Sequence, residues 1–439
     1  MPLMTKTEVE ALLKKVLSFS KADECVANFT GTESGNIRYA LSSVSTSGGI
    51  VKETLVVSSA FGKREGTTTI SEFDDASLEK AVRRAEELAK LAPENPEYMP
   101  MLGPQTYAPT NMFVDATAAI DPKKRADEVA KSLAIAEADK LNAAGFYNNT
   151  TGFTAMMNSK GLFAYNTFTD VGFNVTLRTM DGKGSGYAAK GFNDVAKLDV
   201  VSATKIAAQK ATASSTAKAI EPGKYTVVLE PEAAVTLIEN MMGQFDARSA
   251  DEGRSFMSKP GGLTRLGEQL VDEKVTIYSD PHHPELPSST WAPDGRPVEK
   301  TIWIDKGVVK NLSYSRFWAA KKNVKAIPPT RGIIMNGGKA SLEELIKGTE
   351  RGILVTRLWY IRSVDPQTLL YTGLTRDGTF YIENGEIKYP VKNFRFNESP
   401  VIMLNNLDDL GVPERTESGA MIPPMRIRDF TFTSLSDAI

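Results

Sequence analysis

From Lys224 onward the sequence is a series of short apolar runs separated by turn residues, and this pattern most narrows the possible folds. GTFYIE (378–383) and EIKYPV (386–391) flank Asn384-Gly385, a dipeptide that accepts positive φ and closes two-residue hairpins. Residues 300–304 and 308–314 flank Asp305-Lys306-Gly307, a second hairpin loop. Residues 253–257, 266–270, 275–281, 352–363, 393–396 and 425–432 read as further strands. Many short antiparallel strands over about 215 residues predict a barrel-like or sandwich sheet.

That region opens with YTVVLEPEAAVTLIENMM (225–242), where the period changes. Thr226 to Leu229 form an apolar run that suits a buried strand. Pro231 and Glu232 are helix-start residues. Ala234, Leu237, Ile238 and Met241 then recur at three- and four-residue steps, giving one apolar helical face. A strand that runs into a helix through a tight turn is a common seat for catalytic groups.

The N-terminal half alternates helices with strands. Thr5 caps a helix over 5–18, strands follow over 23–29, 36–45 and 49–58, and 75–91 is a helix stopped by Pro93. A Gly-rich turn over 30–35 is expected between the first two strands. Five prolines between 92 and 111 mark an extended linker or a loop laid over a surface. A helix over 121–144, a meander from 146 to 180 and an Ala-rich helix over 199–218 come next. The reading is α+β: a first lobe at 1–95, a Pro-rich linker at 96–111, a second lobe at 112–220, and a strand-rich domain at 221–439.

Composition limits function. With 439 residues, two or three domains are expected. A formal net charge of -2 gives no reason to expect nucleic acid or an anionic membrane as partner. The N-terminus lacks the apolar core of a signal peptide, and no apolar run approaches the roughly 20 residues that span a bilayer. With one cysteine and no internal disulfide, a cytoplasmic location is expected.

Each candidate for chemistry has a plain structural alternative. Gly182, Gly184 and Gly186 match no phosphate-loop spacing and read as a hairpin tip or bulge. Cys25 reads as a small buried hydrophobe, because no histidine lies near it in sequence to activate a thiolate. His282 and His283 are the two histidines of the chain; with Asp280 or Glu285 they make a poor zinc set and read as a solvated loop. Glu232 reads either as a general base or as a carboxylate favoured by the helix dipole; taken alone, its surroundings favour the second.

Taken in order, NIRYA (36–40), VVLEPEAA (227–234), GRSFM (253–257), LGEQL (266–270) and VTIYSDP (275–281) resemble the TldD/PmbA family, once labelled modulators of DNA gyrase. DGRPVEKTIWIDKGVVKNL (294–312), RGILVTRL (351–358) and FYIENGEIKYPV (380–391) extend the resemblance over nearly the whole chain. It implies a relation to zinc peptidases that carry HExxxH on a helix and a more C-terminal Cys. Carried over by position, the first His falls on Pro231, the Glu on Glu232 and the second His on Thr236. The Cys is expected around 371–378, which reads YTGLTRDG. The resemblance therefore points to the PmbA/TldE branch, with no catalytic, cofactor-binding or metal-binding residue on this chain. It implies a TldD-type metallopeptidase subunit as heterodimer partner, with zinc on that partner and unfolded or precursor peptides as substrates. The alternatives are a stand-alone peptide-binding or scaffold protein, as a homodimer, and a hydrolase reworked around Glu232.

Overall fold

A computed structural model describes residues 3–436. Helix α1 (Lys6–Phe19) starts at a Thr5–Glu8 capping box and buries Val9, Leu13 and Val16, spaced to share one face. Strands β1 (Glu24–Ala40), β2 (Ser43–Phe61) and β3 (Arg64–Ile70) form a meander, followed by α2 (Asp75–Leu91) and, later, α3 (Pro122–Ala138). Strands β4 (Leu141–Asn158), β5 (Phe163–Thr179) and β6 (Ser185–Phe192) form a second meander, followed by α4 (Val200–Ala213). Both meanders belong to one antiparallel sheet of order β3-β2-β1-β4-β5-β6. Its seam is β1 against β4, where Val26 faces Asn158 and Tyr39 faces Gly145.

Two apolar clusters line this sheet. Phe29, Val57 and Phe153 pack with Val9, Leu13, Leu78 and Val82 of α1 and α2. Ile37, Tyr147 and Phe173 pack with Val129 of α3 and Ala207 of α4. Phe29 and Ile37 sit an even number of steps apart on β1, so all four helices cover one face.

Three local expectations give way here. Residues 30–35 are not a turn but the middle of β1. Their glycines serve neighbours: a Cβ on Gly31 would lie 2.3 Å from the Phe153 ring, and one on Gly35 would lie 2.2 Å from the Arg125 guanidinium. The helix expected to 144 ends at Ala138, Lys140 takes a φ of 54°, and Leu141 begins β4. Pairing with β5 along that strand overrides the helical propensity of its alanines. The Ala-rich helix ends at Ala213, short of 218.

The strand-rich C-terminal half consists of open sheets. Its elements are β7 (Lys224–Leu229), α5 (Pro231–Met242), β8 (Arg351–Val355), β9 (Leu358–Asp365), β10 (Leu370–Thr375), β11 (Thr379–Glu383), β12 (Glu386–Pro390), β13 (Phe394–Glu398) and β14 (Met425–Leu435). The larger sheet has the order β9-β10-β13-β14-β7-β8-β11-β12, with Leu407–Leu410 also pairing to β14. A six-stranded sheet of short strands, among them Ile277–Ser279 and Thr301–Asp305, lies beside it. One cluster joins the two: Val227, Leu237, Met241, Ile277, Trp303, Phe394 and Phe432 all belong to it. The runs at 253–257 and 266–270 are not strands. Gly253, Gly261, Gly262 and Gly267 take φ values of 71–85° there, which leaves only the two-residue strands Ser258–Lys259 and Leu263–Thr264. Among the described residues no helix is long and apolar enough to cross a membrane.

Candidate functional site

Strand β7 sits deep in the large sheet. It pairs with β8 in parallel and with β14 in antiparallel fashion, and Val227, Val228 and Leu229 are fully buried. A strand with neighbours on both sides and covered faces needs a continuous apolar run, which TVVL supplies. Its backbone bonding ends at Glu230, whose N–H donates to Val355 O at 3.1 Å. Glu230 is the extended N-cap of α5, but its side chain makes no cap bond. It forms an ion pair with Lys210 of α4 at 2.7 Å, both side chains being largely buried. Pro231 follows at the first helical turn, where the missing N–H costs nothing. Ala234, Leu237, Ile238 and Met241 are all buried, so the apolar face read from the sequence is the packed one.

The opposite side of that helix start opens on a cavity of about 590 Å³. Glu232 and Thr236 line it from α5, Tyr187 from β6, Arg357 and residues 358–362 from β9 and the residue before it, and Glu417 from the loop before β14. The Glu417 N–H donates to Glu232 Oε1 at 2.7 Å. The Glu417 carboxylate accepts from Asn174 Nδ2 at 2.7 Å and from the Tyr187 hydroxyl at 3.0 Å. The next residue, Ser418, donates to Glu239 Oε1 at 2.8 Å, so this loop is fastened to α5 at both ends. Burial pushes the Glu232 carboxyl up to about 7; the Glu417 N–H pulls it back, and the Glu417 charge pushes it further. Burial also raises the Tyr187 phenol far above its usual range.

Arg357 closes one wall. Its guanidinium lies 3.8 Å from the centre of the Tyr187 ring and forms an ion pair with Asp377 at 2.7 Å. Asp377 is 1% exposed and also accepts from Ser185 Oγ at 2.6 Å. The stretch 371–378, where the resemblance places a cysteine, therefore reaches the cavity indirectly, through Asp377 and Arg357.

The arrangement holds a carboxyl that exchanges its proton near neutral pH, beside a second carboxylate and a half-buried phenol. Zinc binds three or four His, Cys, Asp or Glu ligands. Pro231 and Thr236 offer neither an imidazole nor a carboxylate. Among the described residues no three His, Cys, Asp or Glu side chains come together in metal-binding arrangement. This donor set does not fit a zinc ion.

The other sequence candidates lie elsewhere. Cys25 is buried in β1, where burial raises its thiol and Ser59 Oγ donates to its sulfur at 3.8 Å. His283 Nδ1 accepts from the Glu285 N–H at 3.3 Å within its own loop. Gly182 is at the β5–β6 turn with a φ of 72°. A Cβ on Gly184 or Gly186 would come 2.1 Å from the Ala211 or Ala207 carbonyl, so those glycines let α4 lie against the hairpin. Sequence reading missed Tyr187, Arg357, Asp377 and Glu417. Arg357 lies in RGILVTRL and Asp377 in the 371–378 stretch, but neither segment marks it as a site residue, and Glu417 is 185 residues from Glu232. Glu232 itself was expected to make ordinary helix-start or surface contacts; the bond from the distant Glu417 N–H to its half-buried carboxyl corrects that.

Comparison with known proteins gives two family matches. The PmbA/TldA metallopeptidase central domain matches residues 113–215, and the PmbA/TldA metallopeptidase C-terminal domain matches residues 222–434. A metalloprotease of Methanothermobacter thermautotrophicus is 24% identical over 291 residues, which are 60% of this chain and 61% of that protein. The metalloprotease PmbA of Escherichia coli O157:H7 is 26% identical over 215 residues, 46% of each chain. The chain thus spans less than two thirds of the length of these curated relatives. TldE from Thermococcus kodakarensis has the same fold, with a TM-score of 0.87 at 17% identity over 97% of this chain and 99% of that one. A Thermotoga maritima protein described as a modulator of a DNA gyrase gives a TM-score of 0.87 at 19% identity, over 97% and 100%.

Proposed function

This chain belongs to the PmbA/TldD family of metallopeptidase-related proteins, and within that family we propose that it is the non-catalytic subunit of a two-subunit zinc peptidase acting on unfolded or precursor peptides in the cytoplasm. The observation that carries this reading is the helix start at Pro231, Glu232 and Thr236. It keeps a carboxylate and presents proline and threonine where a zinc peptidase of this kind needs histidines. In this reading zinc belongs to a TldD-type partner. This chain contributes the wall of a chamber, and β9 is the surface that holds substrate. That strand is the outer one of the large sheet and borders the Glu232 cavity; Trp359 and Tyr360 are exposed along it, at 39% and 55%. An extended peptide can add to such an edge through backbone hydrogen bonds.

The test uses the purified chain with and without a TldD-type subunit, a zinc assay on each, and casein as the unfolded substrate. Cleavage is expected only with both chains present, with zinc following the partner. One tightly bound zinc on this chain alone, together with cleavage by it alone, overturns the reading. The β9 edge also supports a second reading, a stand-alone peptide-binding protein. That reading requires the isolated chain to bind an extended peptide as tightly as the complex does, and a Trp359→Ala variant to bind it less tightly.

A further inference from the structure

Strand β9 does not run regularly beside β10. Trp359 faces Leu374 and Arg362 faces Thr372, so three steps along β9 match two along β10. The extra residue makes a bulge, and within it Tyr360 takes a φ of 54°, a conformation that bulky side chains rarely adopt. Consecutive side chains of a regular strand point to opposite faces. Here the Trp359 and Tyr360 rings instead lie 5.5 Å apart, both exposed and both lining the Glu232 cavity. The bulge holds a strained backbone and sets two aromatic rings side by side in water, a combination found at binding sites.

Arginines stand against these rings. The Arg376 guanidinium lies 4.1 Å from the centre of the Trp359 ring, and that of Arg362 lies 4.3 Å from the centre of the Tyr360 ring. A guanidinium steadied by an aromatic ring still has N–H groups to offer a carboxylate. The acids nearby are committed elsewhere. Asp377 is buried between Arg357, at 2.7 Å, and Arg376, at 3.8 Å. Asp365 of β9 accepts from the Gln367 N–H at 2.9 Å and from Thr368 Oγ1 at 2.7 Å, within its own turn. Glu417 accepts from Asn174 and Tyr187. Arg362 is exposed, and among the described residues no carboxylate comes within ion-pair distance of it. Burial depresses the Arg376 pKa, and the Arg178 and Arg357 guanidiniums add to this against the pull of Asp377, so positive charge is crowded at this rim.

We propose that this rim selects acidic peptides: an Asp or Glu side chain of a segment lying along β9 pairs with Arg362, while its neighbours pack on Trp359 and Tyr360. The proposal rests on the reading of β9 as the surface that holds peptide, and it adds which peptides are held. Charge complementarity chooses the occupant, because the rim carries a cation without a partner and no carboxylate to receive a basic side chain. Arg376 is a positioning residue that supports the Trp359 ring. Aromatic rings beside arginines also suit single-stranded nucleic acid. Here the Glu417 carboxylate in the cavity repels phosphates, and the β9 edge offers backbone N–H and C=O groups that an extended peptide satisfies and a nucleic acid does not.

The experiment measures binding to the full chain by fluorescence anisotropy, with three labelled dodecapeptides in which threonine alternates with glutamate, glutamine or lysine. The glutamate peptide is expected to bind about fivefold tighter than the glutamine peptide, and the lysine peptide weakest. Raising NaCl from about 50 to 300 mM should narrow the gap. Arg362→Glu should reverse the order, so that the lysine peptide binds tightest; the position is exposed, so circular dichroism should be unchanged. Trp359→Ala should weaken all three peptides alike, which separates ring contact from charge. The inference is overturned by equal binding of the three peptides, by an Arg362→Glu chain that keeps the natural order, by no binding up to about 1 mM, or by tighter binding of an oligodeoxythymidine at the same salt. Cleavage of casein by the two-subunit pair without any acidic preference in binding would remove this inference and leave the proposed function standing. An acidic preference in a chain that never supports cleavage would do the reverse.

Discussion

The two large sheets differ in where each strand finds its neighbours. In the six-stranded sheet every contact except β1–β4 joins strands consecutive in the chain, and four helices cover one face. In the larger sheet β7 lies between β8 and β14, whose first residues are Arg351 and Met425. The first sheet is a set of hairpins that hold their own register. The second is closed by pairs distant in sequence, and the cavity forms where its strands meet the edge of the first. Glu232, Arg357, Asp377 and Glu417 come from four separated stretches and become neighbours only once the second sheet is complete.

If that contrast is right, the largest single-residue effect should fall on a polar group of the long-range sheet. Asp377→Ala leaves Arg357 without its counter-charge and Ser185 without an acceptor. A loss of about 3 kcal/mol is expected in urea unfolding, toward the low end for a broken buried pair because Arg357 is 25% exposed. Asp377→Asn should lose less, since asparagine tolerates the φ of 58° at this position. A loss below about 0.5 kcal/mol for Asp377→Ala, an ordinary surface effect, would break the comparison.

A packing defect in the hairpin sheet should come next. A Cβ on Gly66 of β3 would lie 2.3 Å from Ala85 O and Ala89 N, which are backbone atoms of α2 and cannot rotate aside. Gly66→Ala is expected to cost about 2 kcal/mol by pushing α2 off the sheet. Proteolysis should then open the chain near α2 first, and equal cleavage in both halves would count against an independent hairpin sheet.

A pH-dependent effect sharpens the view of the cavity. Glu232 holds its proton more tightly in the folded chain, at about 7, than in the unfolded chain, near 4.5. Its contribution to stability is therefore complete below about pH 4.5 and is lost as pH rises through about 7. Glu232→Gln keeps an acceptor for the Glu417 N–H and removes the titration. Relative to the variant, the natural chain should lose a few degrees of Tm between about pH 5 and 8, and parallel profiles would show that the carboxyl is not desolvated.

The features legible in the sequence are those whose cause is local. The Asn384-Gly385 hairpin, the strand-to-helix change at Pro231 and the Thr5 cap each depend on a few adjacent residues. The α+β class and the strand-rich C-terminal half follow from the same signals. Gly31 and Gly35 misled the reading because their purpose lies across the sheet, at Phe153 and Arg125. The position of Glu232 was legible but its surroundings were not, since nothing near Glu417 in sequence points to a contact 185 residues back.

The parallel pairing of β7 has a consequence for synthesis. When TVVL leaves the ribosome the six-stranded sheet already has all its strands, but β7 has neither neighbour. Its parallel partner β8 follows about 125 residues later, roughly 6–25 s at ~5–20 residues per second. During that interval the nascent chain pairs a finished N-terminal half with an apolar strand that has nowhere to bind, and this is the species a chaperone meets.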